Sequence, residues 1–61
     1  MKLTIEIKLD NAAFEGDNGI EIARILRKLA AGMDGTFYTS GDSGDLRDHN
    51  GNTCGKWKVT K

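Results

Sequence analysis

The sequence predicts an α+β domain in which one amphipathic helix packs on one face of a small, mainly antiparallel sheet. Two patterns support this prediction: apolar and polar residues alternate at the start of the chain, and apolar residues recur at helical spacing near its middle. An Asn-Gly pair between two short β-like segments adds a hairpin. We therefore expect the order β-α-β-β-β within a single domain that spans residues 1–61.

The first ten residues, MKLTIEIKLD, have the period of two that is typical of a β-strand. Strands with one apolar and one polar face occur in sheets that are covered on one side only. The helix should therefore cover the apolar side of this strand, which consists of Leu3, Ile5, Ile7 and Leu9.

A helix is predicted from Ile20, because apolar residues then recur every three or four positions. Asn18 is the expected N-cap, with Glu21 reaching back to it in a capping box. Gly32, after two alanines, should end the helix. Phe14 should fold back onto the core beside the helix start. The predicted core face consists of Ile22, Ile25, Leu26, Leu29 and Met33.

The second half of the chain predicts three more strands. Residues 36–40 (TFYTS) have the composition of a strand. Residues 41–45 (GDSGD) form a polar, glycine-rich segment that we expect to be a mobile loop. A hairpin should follow, with a two-residue type I′ turn at Asn50 and Gly51. In that register Leu46, Trp57 and Val59 face the helix, and His49 and Cys54 face outward.

Length and cysteine content limit how so small a domain is stabilised. The chain has 61 residues, one cysteine and one histidine, so it can form neither an internal disulfide nor a closed four-ligand zinc site. Self-association or an unusually well idealised core remains as the support that so short a domain can use, and we expect a homodimer. A lone thiol suits a reducing cytoplasm, and no apolar run is long enough for a signal peptide or a membrane span. The expected location is the cytoplasm, without membrane contact.

The motifs do not favour enzymatic chemistry, and we expect no cofactor, no metal and no catalytic residue. Residues 48–52 (DHNGN) resemble part of a calcium-binding loop, but Leu46 and Trp57 would then occupy essential ligand positions. Cys54 and His49 would lie on the same sheet face, where a thiol beside an imidazole could begin a nucleophilic pair. A chain this short can scarcely build the pocket that such a pair requires. An enzyme that uses Cys54 remains a third hypothesis.

The charge distribution supplies the candidate binding residues, although the formal net charge is zero. The outward sheet face should be basic, and the expected loop should be acidic because it carries two aspartates. Basic residues could keep this face solvated, contact a protein partner, or bind a phosphate backbone while an aromatic ring stacks on a base. The candidate partner-binding residues are Lys2, Lys8, Tyr38, Asp42, Asp45, Arg47, Lys56 and Lys58.

The C-terminal segment LRDHNGNTCGKWKV and the N-terminal segment KLTIEIKLDNAAF resemble those of very small proteins encoded by bacteriophages and other mobile elements. That group offers no catalytic residue to transfer. The resemblance implies a protein that binds and blocks a host machine, such as a bacterial antiviral defence complex, and a bacterial cytoplasm as its location. Acidic side chains at 41–45 could then stand in for phosphates. The alternative is a small accessory protein that binds nucleic acid through the basic outward face.

Overall fold

One helix packs against one face of a three-stranded antiparallel sheet, which confirms the predicted α+β class. The computed structural model describes residues 1–61. The strand order across the sheet is β1-β3-β2, so β3 is central and both β1 and β2 are edge strands. The elements are β1 (Lys2–Ile7), a 3₁₀ turn (Ala12–Phe14), α1 (Asn18–Met33), β2 (Ser43–Arg47) and β3 (Thr53–Thr60).

The predicted strand at residues 36–40 is wrong, and the expected loop at 41–45 is strand from Ser43 onward. No strand forms between α1 and Ser43, and residues 43–47 are β2. Backbone hydrogen bonds to β3 begin inside the expected loop. The Gly41 N–H donates to the Val59 carbonyl at 2.9 Å, and the Val59 N–H donates to the Asp42 carbonyl at 2.8 Å. These bonds place the glycine-rich segment beside β3, where its backbone groups are satisfied. The order is therefore β-α-β-β, with one strand fewer than predicted.

Both ends of α1 differ by a few residues from the prediction. The N-cap is Asp17 rather than Asn18, because the Asp17 carboxylate accepts from the Gly19 N–H at 3.1 Å. The helix continues through Gly32 to Met33, and the glycine with positive φ after it is Gly35, at 83°. No helix in the chain has the length and apolarity needed to span a lipid bilayer.

The core lies between α1 and the β2–β3 half of the sheet. Phe14 is buried beside the helix start, as predicted, and packs with Ile25 of α1, Leu46 of β2 and Cys54 of β3. The predicted helix face is confirmed for Ile22, Ile25 and Leu29. It is wrong for Leu26, which is exposed, and for Met33, which does not pack against the core. The helix therefore stabilises one half of the sheet only.

The predicted two-residue turn at Asn50 and Gly51 is wrong. The Gly51 N–H donates to the Asp48 carbonyl at 3.0 Å, and the Asp48 N–H donates to the Asn52 carbonyl at 2.9 Å, which encloses a three-residue loop. Only Gly51 has positive φ, at 84°. A β-turn followed by such a glycine is a common three-residue hairpin loop.

The longer loop changes the register of the hairpin. Leu46 pairs with Gly55 but Arg47 pairs with Thr53, so Cys54 is the extra residue of a β-bulge. The bulge turns Cys54 into the core, whereas the sequence predicted that it faces outward. His49 does lie at the exposed surface. Leu46, Trp57 and Val59 share the inner sheet face, as predicted.

The prediction that α1 covers the apolar side of the first strand is wrong for most of that strand. Only Ile7 packs against the core. Leu3 is 49% exposed and Ile5 is 40% exposed, although both lie on the inner face opposite Val59 and Trp57. The helix lies over β2 and the adjoining part of β3, which leaves β1 without a cover.

Candidate functional site

A polar cluster joins the β2–β3 turn to α1 at one end of the molecule. We define it by Asn11, Glu21, Arg24 and Asp48. The Glu21 carboxylate is only 7% exposed and accepts two bonds from the Arg24 guanidinium, at 2.7 and 2.9 Å. It also accepts from the backbone N–H of His49 at 2.7 Å. Glu21 therefore connects the first turn of α1 to the hairpin loop instead of closing the predicted capping box.

Asp48 organises the hairpin loop from inside the cluster. It is 4% exposed, and its carboxylate accepts from the N–H groups of Asn50 and Asn52 at 2.9 and 3.0 Å. The second oxygen accepts from the Asn11 side-chain amide at 2.8 Å. No buried side-chain polar atom in the chain lacks a hydrogen-bond partner. Because its polar groups are satisfied, the cluster holds the loop in place without an added ligand.

The cluster changes the proton affinities of its members. The hydrogen-bonded Arg24 guanidinium, helped by the His49 N–H, lowers the pKa of Glu21 from its ordinary value of 4.5 to about 2, against the opposing effect of burial. The same contact with Glu21 raises the pKa of Arg24. Both groups therefore carry their full charges at neutral pH.

Cys54 has the opposite properties to an activated nucleophile. Burial, followed by the nearby Asp48 carboxylate, raises the pKa of its thiol. Its Sγ donates to the Leu46 carbonyl at 3.5 Å. Nucleophilic cysteines need an accessible thiolate, and the expected pairing with His49 on the outward face does not form. No group of three or more His, Cys, Asp or Glu side chains is placed to hold a metal ion.

An apolar surface lies on the inner side of β1, and we call it the open surface. We define it by Leu3 and Ile5 of β1, Met33 at the end of α1, Tyr38 and Val59. A depression of about 210 Å³ is lined by Leu3, Met33, Tyr38 and Val59 together with Met1 and Lys2, and Ile5 lies on the same face of β1 as Leu3. A second depression of about 310 Å³, between α1 and β2, shares Met33 and Tyr38 with it. The two depressions adjoin at Met33 and Tyr38, but the second also has charged residues in its lining, among them Lys28 and Asp45.

An aromatic pair lies where the open surface meets the core. Tyr38 and Trp57 make an edge-to-face contact, with ring centroids 5.2 Å apart and an interplanar angle of 82°. Trp57 lies across Gly44 of β2, where a Cβ atom would come within 2.5 Å of the indole nitrogen. Gly44 is therefore required for this packing. The neighbouring Phe37 is 83% exposed.

The outward sheet face is more mixed in charge than predicted, because Asp45 joins Glu6 on it. Lys56 of β3 lies between Glu6 of β1 and Asp45 of β2, its partners in the two ladders. Lys58 has Thr4 and Ser43 in the same positions and no acidic partner. The chain's one ion pair joins Arg24 to Glu21, so these lysines form none. The positive potential of this face is concentrated at Lys58 and Lys2.

The other predicted partner-binding residues are distributed over several elements. Asp42 is held in a turn, because its carboxylate accepts from the Thr39 N–H at 2.9 Å. Asp45 is exposed on β2. Arg47 ends β2 and donates to the Gly51 carbonyl at 3.3 Å. Lys8 follows β1, and its backbone N–H donates to Cys54. Tyr38, by contrast, contributes to the open surface rather than to the basic face.

Sequence reasoning missed the polar cluster, and only part of it had a signal. The pattern Asp48-His49-Asn50-Gly51 indicated that the Asp48 side chain could bond to its own turn. Glu21 and Arg24 have the helical spacing of an ion pair, three residues apart. The bond from Glu21 to the His49 N–H joins positions 28 residues apart, and no local pattern encodes it.

Comparisons with protein-family models, curated protein sequences and solved structures found no match to this chain.

Proposed function

We propose that the protein is a small, non-enzymatic binding protein that works as a homodimer and inhibits a partner through stoichiometric protein–protein contact. The observation that carries this proposal is the open surface, where Leu3 and Ile5 are roughly half exposed on the inner side of an edge strand. Exposed apolar patches that lie beside polar surface commonly mark sites of protein association. These apolar side chains thus lie on the surface instead of in the core.

The target class of the proposal comes from the resemblance to small bacteriophage proteins in the LRDHNGNTCGKWKV and KLTIEIKLDNAAF segments. It points to a bacterial antiviral defence complex in the cytoplasm of the host. The contact surface proposed here is the open surface. Of the two predicted aspartates, Asp42 is bound in its turn and Asp45 lies on the outward sheet face beside Lys56, so neither belongs to the open surface.

A capture experiment with matched variants tests the proposal. Tagged protein is incubated with bacterial lysate, with and without nuclease and at two salt concentrations, and a retained complex is purified and assayed for inhibition. We expect a discrete protein complex that survives nuclease treatment and is lost with Leu3→Asp. The control Lys58→Glu, on the opposite sheet face, should retain it. Equal retention by Leu3→Asp, or no inhibition of the retained complex, would contradict the proposal.

The second candidate function is nucleic-acid binding through the outward face. It is favoured by the lysines that make no ion pair, chiefly Lys2 and Lys58. It is weakened by Glu6 and Asp45 on either side of Lys56, because carboxylates repel phosphates. In the same experiment, this function predicts material that is lost on nuclease treatment, together with binding that falls steeply with salt. Lys56→Glu combined with Lys58→Glu should then abolish the interaction, and Leu3→Asp should not.

A further inference from the structure

We propose that a second copy of this chain pairs with β1 along its free edge, in antiparallel register, to form a continuous six-stranded sheet. The proposal rests on the homodimer named in the proposed function and specifies how that dimer forms. β1 is bonded to β3 on one side only. An unpaired edge with exposed apolar side chains is a ready template for another strand.

The backbone of β1 determines which residues can form the new bonds. The Lys8 N–H donates to the Cys54 carbonyl, and bonding alternates along an antiparallel strand. Lys2, Thr4 and Glu6 therefore point their backbone groups toward β3. Val59 confirms this alternation, because both of its backbone groups bond on the β2 side. The N–H and C=O groups of Leu3 and Ile5 consequently point to the free edge.

This geometry restricts the possible registers of the pairing. Residues that exchange hydrogen bonds must both have free backbone groups, so odd-numbered residues of one copy must face odd-numbered residues of the other. If Leu3 faces Ile5 of the second copy, then Lys2 faces its Glu6, and Thr4 faces its own counterpart. The next allowed register, shifted by two residues, places Ile5 opposite Ile5 and Lys2 opposite Lys8. Opposite charges therefore favour the register in which Lys2 pairs with Glu6 twice across the two-fold axis.

The pairing would also complete the open surface. Leu3 and Ile5 of both copies would lie side by side on the inner face at the centre of the sheet. Each helix lies over its own β2, so the two helices would stand at opposite sides of this apolar floor. The surface proposed to bind the inhibited partner is then built by both copies and is incomplete in one.

Two single charge reversals and their mixture test the register. In the proposed register, residue 2 of each copy faces residue 6 of the other. In a dimer of Lys2→Glu both of these pairs are acidic, and in a dimer of Glu6→Lys both are basic. Each variant alone should dimerise about tenfold more weakly than the natural chain, because two attractive pairs become repulsive. When the two variants are mixed, both pairs are restored in the heterodimer. Sedimentation equilibrium should therefore recover dimer in the mixture.

The controls separate this inference from the proposed function. Lys58→Glu reverses a charge on the same sheet face but away from the β1 edge, and it should dimerise normally. Circular dichroism checks that each variant is folded, and recovery on mixing would be impossible for unfolded chains. A natural dimer that neither single reversal weakens would contradict the β1 interface but leave the homodimer in place. A chain that stays monomeric at tens of micromolar would overturn both, whereas binding of the partner is judged by the capture experiment.

Discussion

The two halves of the sheet are built from similar apolar residues but are used differently. On the β2 side, α1 covers Leu46 and the polar cluster ties the hairpin loop to the helix. On the β1 side, Leu3 and Ile5 occupy the same inner face without a cover. The covered half therefore maintains the fold, whereas the open half leaves apolar side chains exposed. Substitutions in the two halves should therefore have separable effects on stability and on binding.

The largest effect is expected where β1 joins β3. A Cβ atom at Gly55 would come within 2.0 Å of the Glu6 carbonyl oxygen, which is backbone and cannot rotate away. Gly55→Ala should therefore cost about 3 kcal/mol or more, enough to unfold much of a domain this small. The matched control is Gly32→Ala in α1, where nothing lies within 4 Å.

Gly32→Ala should stabilise the protein by about 0.5–1 kcal/mol, because alanine favours the helix. Chemical denaturation followed by circular dichroism measures both variants. If Gly55→Ala is as stable as the natural chain, then β1 is not packed against β3 as described.

A pair of leucines compares the two halves directly. Leu46 is buried beneath α1, so Leu46→Ala should cost about 3 kcal/mol through lost burial and a residual cavity. Leu3→Ala should cost only about 1 kcal/mol in the monomer, because half of that side chain is already in water. Urea denaturation at low protein concentration gives both values. Equal costs would mean that the open half is covered after all.

The polar cluster predicts a smaller effect that depends on pH. The pKa of Glu21 is about 2 in the folded protein and is near 4.5 when the chain unfolds. Its contribution to stability is complete above pH 4.5 and is lost as the pH falls toward 2, because the unfolded chain takes up the proton first.

Glu21→Gln should therefore flatten the dependence of the unfolding free energy on pH between 4.5 and 2. Urea titrations at several pH values measure this slope. If the variant and the natural chain have the same slope in that range, the ion pair between Glu21 and Arg24 does not stabilise the fold.

The features that the sequence predicted are those that depend on local periodicity. The alternation at Leu3, Ile5 and Ile7 identified β1, and the spacing of Ile22, Ile25 and Leu29 identified α1. Phe14, just before the helix, was also correctly expected to fold back onto the core. These features need only the geometry of a single strand or helix.

The features that it missed depend on contacts between distant segments. Residues 36–40 have the composition of a strand but no neighbouring strand to bond, whereas the polar segment at 43–47 is a strand because β3 lies beside it. The bulge at Cys54 follows from a hairpin loop that is one residue longer than an Asn-Gly turn. Nor could periodicity show which half of the sheet the helix covers. The open surface was therefore found only in three dimensions.

The predicted partner-binding residues stay a prediction, but their surroundings differ from those expected. The sequence placed binding residues on a basic outward face and a mobile acidic loop, but Lys56 lies between two acidic partners and the loop is strand β2. The alternation of side chains along each strand correctly assigned Lys2, Lys56 and Lys58 to one face of the sheet. It could not show that the opposite, apolar face of β1 would be exposed.

Amide hydrogen exchange along β1 tests most directly whether a second copy closes the open half. The N–H groups of Thr4 and Glu6 bond to β3 within one chain and should be protected at every protein concentration. Those of Leu3 and Ile5 point to the free edge and should gain protection only as the concentration rises and the dimer forms. Rapid exchange of Leu3 and Ile5 at concentrations where the protein is dimeric would contradict pairing through β1.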